Sequence, residues 1–113
     1  MKVRDASRPD AEAVASIYNH YIANSVITFE VDPVSDEEMA LRIAEVQTSS
    51  YPWLVAELDG VVAGYAYATQ WTQRFAYRFS AEVTIYLASE FGGRGIGSAL
   101  YGELISQLRT KGM

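Results

Sequence analysis

Ala11, Val14, Ile17, Tyr18 and Tyr21 recur at spacings of three and four residues, the period of one face of a helix. Ser7, Pro9 and Asp10 stand just before them as a cap, a first-turn proline and a reciprocal acidic partner, so a helix is predicted over 8–22. Ser35 and Glu38 repeat the capping signature ahead of Met39, Ile43 and Val46, which predicts a second helix over about 36–48. The stretch between them, NSVITFEVDPV at 24–34, breaks the period and reads as a partly extended connection. KVRDA at 2–6 is a short first strand.

The period then changes. WLVAEL at 53–58 and VVAGYAYA at 61–68 are strand-like runs separated by Asp59-Gly60, the dipeptide best suited to a two-residue hairpin. TQWTQRFAYR at 69–78 is an aromatic-rich connection. FSAEVTIYLA at 79–88 alternates, with Ala81, Val83, Ile85 and Leu87 on one side and Ser80, Glu82, Thr84 and Tyr86 on the other. Ile96, Leu100, Leu104 and Leu108 fall one turn apart and predict a last helix over about 95–110. Strand, two helices, three strands and a helix make an α+β layer of antiparallel sheet and packed helices.

Between the last strand and the last helix lies GGRGIGS at 92–98. Glycine permits positive φ and admits a ligand close to the backbone, while a helix N-terminus offers unpaired N–H groups and a partial positive charge. These features suit a pyrophosphate, with Arg94 and Ser98 as side-chain contacts. A plain chain turn fits the same residues. The spacing is not that of a dinucleotide fingerprint, and no Gly-Lys-Ser or Gly-Lys-Thr occurs.

Glu82 is a carboxylate inside a strand, where acidic residues are scarce. Partial desolvation raises such a group toward the range of a general base; a solvated strand carboxylate is the alternative. His20 sits near the end of the first helix, a place for capping or packing. Phe29, Tyr65, Tyr67, Trp71, Phe75 and Tyr77 either line a pocket or form core and rim.

Charge narrows the partners. Nine basic residues against 14 acidic ones give a net charge of -5, which argues against nucleic acid or an anionic membrane surface. With no cysteine and one histidine, neither a thiolate nor a histidine-rich metal site is expected. MKVRDASRPD carries no apolar export signal, which favours the cytoplasm.

Together these pieces resemble the GCN5-related N-acetyltransferase (GNAT) superfamily, and within it the phosphinothricin N-acetyltransferases. The resemblance runs through YNHYI at 18–22, Phe29, YPWLVAELDG at 51–60, VAGYAYA at 62–68, Trp71, AYRFSAEVTIYL at 76–87, GIGSALY at 95–101 and LISQLRTKGM at 104–113. It implies the GNAT fold and acetyl-CoA as cosubstrate, with no metal. The acceptor it implies is a small amino-acid-like primary amine of the phosphinothricin or methionine sulfoximine type. By this resemblance Glu82 matches the strand glutamate proposed as general base. Gly93 through Gly97, with Arg94, Ile96 and Ser98, match the pyrophosphate loop, although Gly92 stands where glutamine or arginine is usual. The backbone of Ile85, Tyr86 and Leu87 matches the edge that holds the pantetheine arm. Phe29, Trp71, Phe75 and Tyr77 match the acceptor side.

The family continues past the glycine-turn helix, so the resemblance implies a single domain over 1–113 that is an N-terminal portion of the fold. On that view Ile96, Leu100, Leu104 and Leu108 are left without part of their core, and the strand at 79–88 becomes an open edge. A homodimer or other self-association is then expected. The alternative function is a truncated coenzyme A-binding or structural fragment of such an enzyme, without catalytic activity.

Overall fold

The computed structural model describes residues 1–24, 33–70, 81–88 and 95–110. Strands β1 (Lys2–Asp5), β2 (Trp53–Leu58), β3 (Val61–Gln70) and β4 (Ala81–Leu87) form one sheet in the order β1-β2-β3-β4, with every neighbouring pair antiparallel. Helices α1 (Ala11–Asn24) and α2 (Asp36–Thr48) cover one face, and α3 (Ile96–Thr110) covers the other.

Alternation along the strands sorts the core into these two layers. Trp53, Val55 and Tyr65 join Val14, Ile17, Met39 and Ile43 under α1 and α2. Leu54, Ala56, Ala66 and Ala68 join Leu100, Leu104 and Leu108 under α3. β2 is buried on both sides, which explains why WLVA is an unbroken apolar run.

The expected hairpin is present. Asp59 and Gly60 both have positive φ, 53° and 80°, as a tight primed turn requires. Past it the β2–β3 register shifts between Ala56 and Glu57, leaving Ala63 as an extra residue on β3. This bulge turns Ala63 toward the α3 side, alongside Gly64, whereas Val62 packs on the α1–α2 side. β3 runs to Gln70, two residues beyond the predicted strand, because Thr69 and Gln70 pair with Glu82 and Ala81.

The first helix opens with a 3-10 turn at Arg8–Asp10. Asp10 accepts from the Ser7 backbone N–H at 2.8 Å and the Ser7 hydroxyl at 3.1 Å, so the expected capping pair is formed. Asp10 is buried, and Arg4 donates to both of its oxygens at 2.8 and 2.9 Å while its Nε reaches Glu57. Ser35 caps α2 through the Glu38 N–H at 3.1 Å.

One expectation is corrected. Ile96, Leu100, Leu104 and Leu108 are 0–5% exposed, because α3 lies across β2, β3 and β4. The small side chains at Ala56, Ala63, Ala66 and Ala68 let the leucine stripe settle directly on the sheet. The stripe is therefore satisfied within this chain.

Candidate active site

β4 carries the candidate base and leads toward the glycine turn. Its register sets Glu82 opposite Thr69, Thr84 opposite Tyr67 and Tyr86 opposite Tyr65. Tyr86 packs on the α1–α2 side, its ring 5.7 Å from Tyr18 in an edge contact and 5.5 Å from Tyr65. Glu82 stands four residues earlier on the same strand, at a position of the same parity. Ile85 and Leu87 instead pack with the α3 layer. The side chains at 85–87 thus belong to the two cores, and what they offer a ligand is backbone. In an antiparallel ladder alternate residues turn N–H and C=O away from the partner strand, and β4 stands at one end of the strand order.

Gly95 has a φ of 73°, a conformation that L side chains rarely adopt. Its carbonyl accepts from the Ala99 N–H at 3.1 Å, so it serves as the cap of α3. The N–H groups of Ile96, Gly97 and Ser98 precede that first helical bond. A Cβ at Gly95 would meet no described atom within 4 Å, and one at Gly97 would only touch Leu87 Cδ1 at 3.7 Å. Ser98 is exposed, while Ile96 is buried and contributes its backbone alone. Backbone donors, a helix start with no described atom close to Gly95, and the positive helix end suit an anion such as a diphosphate. Gly92, Gly93 and Arg94 lie outside the described residues, as do Phe29, Trp71, Phe75 and Tyr77.

Beside the Thr69–Glu82 pair the structure brings together residues that the sequence pattern left apart. A cavity of about 420 Å³ lies between α2 and the sheet, with Tyr18, Trp53, Tyr65, Tyr67, Arg42 and Thr69 in its wall. Trp53 stacks on Tyr67 at 4.1 Å between ring centres, with 13° between planes, and on Tyr65 at 5.5 Å. Burial pushes the Tyr65 phenol well above its ordinary range, so it remains protonated. Arg42 lies 5.9 Å above the Tyr18 ring and pairs with Glu38 one helical turn away. Trp53 Nε1 is buried without a hydrogen-bond partner among the described residues.

The alternatives for Tyr65 and Tyr67 are not exclusive: both line this cavity, and Tyr65 is also core. Trp53 and Tyr18 were readable as core positions, but their convergence depends on how α1 and α2 lie on the sheet. Asn19 was also missed. Its amide donates to the Val34 carbonyl at 2.9 Å and accepts from the Val34 N–H at 2.7 Å, tying α1 to the residue just before the α2 cap. His20 lies apart, lining a second cavity of about 280 Å³ together with Leu87 and Ala88.

A family model, Acetyltransferase (GNAT) family, matches residues 14–113. The chain belongs to the GNAT acetyltransferases. Phosphinothricin N-acetyltransferase of Streptomyces viridochromogenes is 39% identical over 99% of this chain. The match spans 61% of that relative's length. A phosphinothricin acetyltransferase of Sinorhizobium meliloti, solved with acetyl-CoA, is 42% identical with a TM-score of 0.87, covering 95% of this chain and 58% of that one. A ribosomal-protein-alanine N-acetyltransferase of Brucella melitensis superposes with a TM-score of 0.91 at 32% identity, covering 98% of this chain and 68% of that one. The fold is thus the α+β GNAT fold. The names of these relatives span different acceptors.

Among the described residues no helix is long and apolar enough to cross a membrane, and no group of three His, Cys, Asp or Glu is placed to hold a metal.

Proposed function

We propose that this GNAT chain is an acetyl-CoA-dependent N-acetyltransferase of small amino-acid-like primary amines, phosphinothricin and methionine sulfoximine among them. The observation that carries the reading is the order of elements along the chain: β4, bearing Glu82 opposite Thr69, precedes α3, which begins at a positive-φ Gly95 with no described atom within 4 Å of a Cβ placed there. Likeness to a relative solved with acetyl-CoA supports the same assignment.

Acetyl-CoA supplies an acetyl group activated as a thioester. The first turn of α3, with Gly92, Gly93, Arg94 and Gly95 before it, holds the diphosphate, and the backbone of Ile85, Tyr86 and Leu87 holds the pantetheine arm. An amine attacks only when its lone pair is free, so Glu82, directly or through water, takes the proton from the attacking nitrogen. The new N–C bond forms as the C–S bond breaks, and the thiolate leaves as the thiol once protonated. Backbone N–H groups of β4 offset the negative charge that grows on the carbonyl oxygen. Phe29, Trp71, Phe75 and Tyr77 form the acceptor side.

We place the enzyme in the cytoplasm and propose that it self-associates. With the α3 stripe buried, the support for self-association is the position of β4 at the end of the strand order among the described residues. Sedimentation over a concentration series tests this, and a single monomer at high micromolar concentration contradicts it.

The function is tested by titrating coenzyme A calorimetrically and following thiol release with a panel of amines. Coenzyme A binding with amine-dependent release supports the proposal. Binding without release from any amine identifies a cofactor-binding domain instead.

A further inference from the structure

Tyr86 is a point at which the helix layer meets the proposed cofactor strand. Its side chain leaves β4 on the α1–α2 side, whereas its neighbours Ile85 and Leu87 pack with the α3 layer. Tyr18 of α1 meets it edge-on, with ring centres 5.7 Å apart and 85° between planes, a geometry that aromatic pairs favour. Tyr65, opposite Tyr86 in the ladder, backs the contact from β3 at 5.5 Å. One residue along α1, Asn19 clasps both backbone groups of Val34, which restrains the turn of helix that carries the Tyr18 ring. β4 depends on such a brace, because β3 is its one strand neighbour among the described residues. That ladder sets the register of β4, but a strand paired on one side can still tilt about the ladder. Packing on its two faces then decides where its outward-facing N–H and C=O groups stand. The α3 layer holds one face through Ile85 and Leu87, and Tyr18 holds the other through Tyr86.

We propose that Tyr18 is a positioning residue for coenzyme A: through its ring contact with Tyr86 it holds the β4 backbone at 85–87 where the pantetheine arm binds. The inference rests on the acetyltransferase reading above and adds to that site a residue from α1. Glu82 is four residues from Tyr86, about 13 Å along an extended strand. A tilt at Tyr86 therefore disturbs the cofactor edge before it disturbs the base.

Three variants separate the ring contact from packing in general. Tyr18→Leu keeps apolar bulk but loses the ring, and Tyr18→Phe keeps the ring and loses the hydroxyl. Ile43→Val trims a buried α2 side chain in the same layer. Each is titrated calorimetrically with coenzyme A at a temperature where it is fully folded. Residual dipolar couplings of the Ile85, Tyr86 and Leu87 amides are measured alongside, without ligand, to report the direction of each N–H bond. Tyr18→Leu is expected to change these couplings relative to those of β2 and to weaken coenzyme A binding about tenfold. Tyr18→Phe and Ile43→Val are expected to stay within about twofold of the parent affinity. Unchanged couplings or unchanged affinity in Tyr18→Leu overturn the inference. An equal loss in Tyr18→Phe assigns the effect to the hydroxyl and also overturns it, as does an equal loss in Ile43→Val, which assigns it to packing at large. Coenzyme A binding by the parent that Tyr18→Leu leaves intact removes this inference alone. A parent chain that binds no coenzyme A removes the acetyltransferase reading and this inference with it.

Discussion

Gly64 lies directly against Tyr86: a Cβ at Gly64 would come within 2.9 Å of the Tyr86 carbonyl oxygen and 2.7 Å of Leu87 Cδ2. The Ala63 bulge brings Gly64 to this place, and the absent side chain lets β4 close onto β3. Gly64→Ala must push β4 outward at the backbone proposed to hold pantetheine. We expect a loss of about 1–3 kcal/mol in denaturant unfolding and a larger relative fall in coenzyme A affinity than Gly102→Ala causes. Gly102 is exposed within α3 with no described atom within 4 Å of an added Cβ, so its alanine variant should gain about 1 kcal/mol. Equal stability of the two variants would contradict the packing described.

The glycine turn separates conformation from access. Gly95→Val forces a β-branched residue to positive φ and should cost about 1–2 kcal/mol in stability as well as most of the coenzyme A affinity. Gly97→Ala meets only an ordinary contact with Leu87, so its stability should stay within about 0.5 kcal/mol of the parent. A fall in coenzyme A affinity in stable Gly97→Ala would show that a ligand approaches the helix start; unchanged affinity would place the diphosphate elsewhere.

Most of the layer architecture was legible because each element carried its own period. The Asp59-Gly60 turn, the alternation of Val83, Ile85 and Leu87, and the stripe from Ile96 to Leu108 all depend on near neighbours in sequence. What escaped depends on tertiary contact. The stripe of α3 was expected to lack part of its core, yet the alanines of β2 and β3, small enough to admit it closely, complete that core. The Ala63 bulge has no local signature beyond a glycine in a strand. Trp53, Tyr18 and Arg42 form one cavity only because α1 and α2 share a sheet face. Glu82 and Gly95 stood out because each residue type is unusual at its place.

Asn19 closes a contact that propensity does not announce. Asn19→Ala leaves both the N–H and C=O of buried Val34 without these partners, an expected loss of about 1–3 kcal/mol. Asn19→Asp keeps the acceptor but loses the donor, and should fall between the two. Unfolding midpoints in urea check the order; a neutral Asn19→Ala contradicts it.

Arg4 holds the Asp10 carboxyl below its ordinary range, opposed by burial and aided by the Ser7 amide. A carboxylate whose folded pKa is depressed contributes stability above its unfolded pKa and loses it as pH falls through the folded value. Stability should therefore decline below about pH 4, and Asp10→Asn should flatten part of that decline while costing about 1.5–3 kcal/mol at pH 7. An acid limb identical in both proteins would assign the sensitivity to other carboxyls.

The pH–rate profile of amine-dependent thiol release, measured for the parent chain and Glu82→Gln, tests the central claim most directly. Coenzyme A affinity should be the same in both, because the backbone of β4 and the start of α3 are unaltered. Turnover by Glu82→Gln should fall about 10²–10⁴-fold near neutral pH and recover toward the parent as rising pH deprotonates the amine without help. Two superimposable profiles, with turnover present in both, would contradict Glu82 as the base on β4.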